Sequence, residues 1–140
     1  LNDVIDGVLS AVFVIDLHVE VTPVPFKALS AKTLEEKSES VRQRVIDARQ
    51  IQSKRFTDTN IHSNALMNAK QLRQVCQISE TSNSLLDRAM EKLNLSARAY
   101  DRVLKVSRTI ADLDNEEDIQ PQHLAEAIQY RSLDRENWGS

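Results

Sequence analysis

Asn94-Leu95-Ser96-Ala97-Arg98-Ala99-Tyr100-Asp101-Arg102-Val103-Leu104-Lys105-Val106-Ser107-Arg108-Thr109-Ile110-Ala111-Asp112-Leu113 reads as an amphipathic helix over Ser96 to Asp112. Ala99, Val103, Val106 and Ile110 recur at helical spacing and point to a core, and Ser96 stands where an N-cap hydroxyl is favoured. Arg98 and Arg102 lie four apart on one stripe, with Lys105 and Arg108 continuing near it. A guanidinium is the side chain best suited to holding a phosphate in a planar fork, so the stripe points to nucleotide contact. The only glycines are Gly7 and Gly139, and neither opens a phosphate-binding loop. The arginines therefore read as one half of a site whose other half lies elsewhere.

The segments around this helix are helical too. Ser82 to Leu93 turns Leu85, Leu86, Ala89, Met90 and Leu93 to one face, with Ser79 near its start as a cap. Asn68 to Cys76 is a shorter helix with Leu72, Val75 and Cys76 inward, and the polar run Thr57 to Asn64 is a loop. Ser40 to Phe56 places Val41, Val45, Ala48 and Ile51 or Gln52 inward, opposite Arg42, Arg44, Arg49 and Lys54. Downstream, Asp114 to Asp118 forms an acidic turn. Pro121 then opens a last helix to Arg131, with Ile119 and Leu124 spaced as a hydrophobic staple. The tail Ser132 to Ser140 has no periodicity and is expected to fray.

The N-terminal end behaves differently. Ile15, Leu17, Val19 and Val21 alternate with Asp16, His18 and Glu20, the period of a half-buried strand, and Pro23 and Pro25 end it. Unless Val4 to Val14 pairs with it, the strand is an orphan, and the expected sheet lies upstream. The apolar run Val8 to Val14 is too short for a membrane span and lacks basic residues before it, so neither signal peptide nor membrane helix is expected. With 140 residues, 41% hydrophobic and only 4% aromatic, the chain fits a mainly α fold: a small helical bundle preceded by one orphan β-strand. Residues 1–32 are read as remnant strand and linker, and 33–140 as the helical domain. The net charge of -3 gives no global pull toward nucleic acid. Cys76, the lone cysteine, fits a reducing cytoplasm and a place in the core.

No constellation for catalysis or metal binding is present. His18, His62 and His123 fall in separate elements without ligand spacing, and Asp114, Glu116, Glu117 and Asp118 lack the periodicity of a calcium loop. No nucleophile elbow accompanies the Ser, His and Asp residues. The bland reading of the arginine stripe is a solvated face paired with Asp101 and Asp112.

From Ile15 onward the chain resembles the C-terminal part of the bacterial magnesium-chelatase-like AAA+ ATPases, the group that includes YifB and ComM. The resemblance rests on Ile15-Asp16-Leu17-His18-Val19-Glu20-Val21 with Pro25, on Arg44-Val45 through Ala48-Arg49, on the Asn94 to Leu113 run, and on His123-Leu124-Ala125-Glu126-Ala127-Ile128-Gln129-Tyr130-Arg131. It implies a cytoplasmic helical lid beside an α/β nucleotide-binding core of the same polypeptide, in a ring, commonly a hexamer, that binds ATP and Mg2+. The family's second-sensor arginine falls on Arg98, with Arg102 in support. Where the family has Gly-Pro-Leu-Leu-Asp-Arg, this chain has Val12-Phe13-Val14, so the trans-acting finger is absent. On this reading the isolated chain has no catalytic residues and no cofactor of its own, and the parent is a ComM-like DNA-processing ATPase.

Two other readings stay open. Arg42, Arg49, Lys54 and Arg55 present a basic helix face that an independent module would use to bind DNA or a protein. Alternatively the bundle is purely structural and Arg98 makes only surface ion pairs.

Overall fold

The computed structural model describes residues 17–23 and 36–132. Five α-helices and one 3-10 turn follow in order: α1 Ser38–Arg55, the 3-10 turn Asn64–Leu66, α2 Ala69–Val75, α3 Glu80–Leu93, α4 Ala97–Leu113 and α5 Pro121–Ser132. The helical bundle expected from the periodicity is present. Its helix starts are set by the capping chemistry of single residues. Asn68 accepts from the Lys70 and Gln71 N–H groups, at 3.0 Å each, and Gln71 returns a bond to the Asn68 N–H, a reciprocal capping box. Ser79 accepts from Ser82 N–H and Ser96 from Ala99 N–H. Because Ser79 caps, α3 begins at Glu80, two residues before the periodicity alone suggests.

α4 lies at the centre. It packs against α5, α1, the 3-10 turn and α2, while α3 packs against α5. Being covered on several sides, α4 buries Leu104, Ser107, Arg108, Ala111 and Asp112 besides the expected Ala99, Val103 and Ile110. The core joins these to Phe56, Met67, Leu72, Cys76, Leu86, Ile119, Leu124 and Ala127. Ile119 and Leu124 are both buried at the start of α5, as the staple spacing predicts.

Three inward assignments are corrected. Val41 and Val45 are 41% and 49% exposed, because only the C-terminal half of α1 reaches the bundle, through Ala48 and Gln52. Leu85 is exposed, since α3 turns Ser82 and Leu86 inward instead. Residues 17–23 form no strand, and Leu17, Val19 and Val21 are exposed. A strand needs a neighbour for its ladder, and among the described residues the segment meets the bundle backbone through His18 N–H, which donates to Tyr130 O at 3.0 Å. Ile15, Asp16 and the expected fraying tail beyond Ser132 lie outside the described residues.

Candidate functional site

The capping serine decides where Arg98 sits. With Ser96 at the cap, Arg98 is the second residue of α4, at the end where unpaired backbone N–H groups and the positive pole of the helix gather. A cation there is disfavoured unless an anion faces it. Arg98 is exposed, and its side chain makes no hydrogen bond or ion pair with any described residue.

Arg98, Arg102 and Lys105 line one concavity of about 700 Å³. Its floor is apolar, from Val106, Ile110 and Leu113 of α4 and from Leu17 and Val19 of the N-terminal segment. Asp101 and Glu126 add carboxylates at its edge, so the rim is mixed in sign but richer in cations. Lys105 Nζ donates to the Ala65 carbonyl at 3.0 Å, tying it toward the 3-10 turn. Across the concavity Tyr130 donates its hydroxyl proton to Glu126 at 3.0 Å, and that bond holds the phenol above its ordinary pKa.

Arg108, on the same sequence stripe, goes elsewhere. It is 3% exposed, with Nε donating to Asp112 and its two terminal nitrogens donating to the Glu117 and Glu116 carbonyls. Arg55 reaches the same carboxylate from the end of α1, and Asn64 Nδ2 donates to it at 2.7 Å. Gln52 accepts from the Asn64 N–H, and Thr109 accepts from the Asn64 amide, so α1, the 3-10 turn and α4 share one polar knot. A buried carboxylate held by this many donors needs no solvent. The i,i+4 spacing of Arg108 and Asp112 announced the pair, but nothing in the sequence announced Arg55 or Asn64.

The knot also divides the basic face of α1. Arg49 and Lys54 share a shallow groove with Val45 and Ile46, and Arg42 lies two turns from Arg49 on the same stripe. Arg55 is set apart from these three by its bonds to Asp112 and Asn64.

The histidines stay apart. His123 Nδ1 accepts from the Gln120 N–H at 3.0 Å, taking the place a glutamine holds in a capping box, and its Nε2 lies 3.2 Å from an Asp114 oxygen. Among the described residues no cluster of three or more His, Cys, Asp or Glu side chains could hold a metal ion. Cys76 is buried, and desolvation pushes its thiol up to about 12. No helix among the described residues is long and apolar enough to cross a membrane.

Comparison with known proteins follows the same boundaries. The sequence profile described as "Magnesium chelatase, subunit ChlI C-terminal" matches residues 35–131, from just before α1 to the last turn of α5. The chain belongs to this family. Among curated relatives of this chelatase C-terminal domain, the competence protein ComM of Haemophilus influenzae is 41% identical over 121 residues. YifB of Escherichia coli K12 is 40% identical over 122 residues, and YifB of Salmonella typhimurium 36% over 121. Each alignment covers 86% of this chain but only 23% of the relative's own length.

Proposed function

We propose that this chelatase C-terminal domain is the lid of a ring-forming ATPase, and that Arg98 is the sensor by which it meets nucleotide. The observation that carries the reading is the position of Arg98: exposed, in the first turn of the central helix, without a partner among the described residues, and beside Arg102 on one concave surface. Such a side chain extends beyond the helix end toward a neighbouring domain, and its fork suits a terminal phosphate. A polyphosphate fits the cationic rim. ATP and Mg2+ would supply phosphoryl-transfer chemistry in the parent protein, while the described residues offer no carboxylate cluster for the metal.

In this reading the domain contributes no reacting group. Arg98 holds phosphate charge, Arg102 supports it one turn on, and the difference between contacts to a triphosphate and a diphosphate biases the position of the lid. A protein of the ComM kind, acting in DNA processing in the cytoplasm as a hexameric ring, is the parent that the family membership favours. The test is ATP hydrolysis and nucleotide binding by the full-length protein, wild type against Arg98→Ala, with folding followed by circular dichroism. Hydrolysis that collapses in a folded protein supports the sensor. Unchanged hydrolysis removes it.

A further inference from the structure

The stripe by which α1 packs on the bundle does not stop where the bundle stops. Val41, Val45, Ala48 and Gln52 are spaced by four, three and four residues, which puts them on one seam along the helix. Ala48 and Gln52 are sealed against the bundle, whereas Val41 and Val45 are bare. The bare half continues the buried half, so whatever covers it lies flush against this domain.

The flanks of the seam say what kind of surface that is. Arg42 and Arg49 run along one side and Arg44 along the other. Arg44 is tied to Glu36 at 2.9 Å, so the open charge along the seam lies on the Arg42 and Arg49 side, and two copies of α1 packed antiparallel through it would set those arginines against each other. An acidic partner fits. The relatives this chain matches are more than four times longer than the aligned stretch, since the alignment covers 23% of them, so a partner within the same polypeptide is at hand.

We propose that the Val41 and Val45 face of α1 is covered, in the full-length protein, by an amphipathic segment of the same polypeptide that carries carboxylates beside its apolar stripe to meet Arg42 and Arg49. This rests on the reading that the chain is one domain of a longer protein, and it does not depend on nucleotide reaching Arg98. The exposed Val41 and Val45, one turn apart on the seam, are then an intramolecular interface.

The test measures maleimide labelling of single cysteines in the full-length protein, in a background without other exposed cysteines, where buried Cys76 stays silent. Val45→Cys reports the seam, and Gln43→Cys, exposed on the opposite side of α1 and outside the groove around Val45, is the control. The expected result is labelling at least tenfold slower at position 45, unaltered when the protein is diluted until it sediments as a monomer. Adding Arg42→Glu and Arg49→Glu then brings the rate at 45 to within about twofold of the control. Equal rates at the two positions overturn the proposal, as does protection untouched by the charge reversal. Protection that vanishes on dilution assigns the face to a second copy, and protection that requires added duplex DNA assigns it to nucleic acid; each also overturns it. Failure of the Arg98 sensor would leave all these rates unchanged, so the two readings fail separately.

Discussion

Arg55 and Asp112, 57 residues apart in sequence, join the end of α1 to the end of α4 through two hydrogen bonds between guanidinium and carboxylate, one of them 2.8 Å long. Asp112 is fully shielded while Arg55 keeps about a fifth of its side chain in solvent. The carboxylate is thus the irreplaceable partner. Asp112→Ala strands the buried Arg108 as well as Arg55, and breaking a buried charge network of this kind costs ~3–5 kcal/mol. Arg55→Ala leaves Arg108 still paired and is expected to cost no more than about half as much. Urea unfolding of the two variants checks the order; equal losses would show that Arg108 does not compensate.

Replacing Arg98 and Arg102 separately tests the proposed roles of sensor and support. On the proposed lid reading, Arg98→Ala is expected to lower ATP hydrolysis by the full-length protein by about a hundredfold or more, the scale on which one charge-stabilising donor acts in such chemistry. Arg102→Ala is expected to lower it about tenfold. Arg98→Lys keeps the charge but loses the fork, and falls between wild type and Arg98→Ala. Steady-state kinetics decide; a larger loss at Arg102 would exchange the two roles.

Cys76 makes stability fall in alkali. Its thiol ionises near 9 when free of the fold and near 12 within it, because burial disfavours the thiolate more than Arg108 and Arg55 favour it. Below pH 9 both states hold the proton and the contribution is complete; as pH rises above 9 the unfolded chain releases it first, and stability is lost until the folded thiol ionises as well. The slope is at most about 1.4 kcal/mol per pH unit from this group. Tyr100, whose pKa is raised by burial and then by Asp87 and Asp101, adds loss of the same sign. Urea midpoints from pH 8 to 10.5 should therefore decline less steeply in Cys76→Ala than in wild type.

The His123 cap predicts a rank order. His123 accepts the Gln120 N–H that would otherwise be an orphan at the start of α5, from a position that is 1% exposed. His123→Ala loses the cap and leaves a cavity, for ~2–4 kcal/mol together. His123→Gln can restore the acceptor, as glutamine does in α2 with Gln71, and is expected to recover about 1 kcal/mol of that loss. Thermal or urea melts of the two variants compare them directly.

The helices were legible because their starts are written in single residues. Asn68, Ser79, Ser96 and Pro121 carry cap chemistry that acts within one turn, so local sequence is enough to place α2, α3, α4 and α5 within about two residues. What escaped was decided at long range. Val41 and Val45 have the spacing of core residues, yet periodicity cannot say that the bundle ends beneath Ala48. Likewise Arg108 shares a stripe with Arg98 and Arg102, but α4 is covered on that side at its far end and open at its near end, so one arginine became structural and the others stayed on the rim. The family likeness in the α4 and α5 segments was readable from the residues themselves, and the profile match over residues 35–131 has the same extent as the helices.

α4 has 17 residues, a rod of roughly 25 Å, with Arg98 at one tip and the Arg55 anchor at the other. Packed on several sides, it has little room to bend, and α1 is bolted to its far end. On the proposed lid reading, a tilt imposed at the Arg98 tip would be carried along α4 to the Arg55–Asp112 anchor and so to the Val41 and Val45 face of α1.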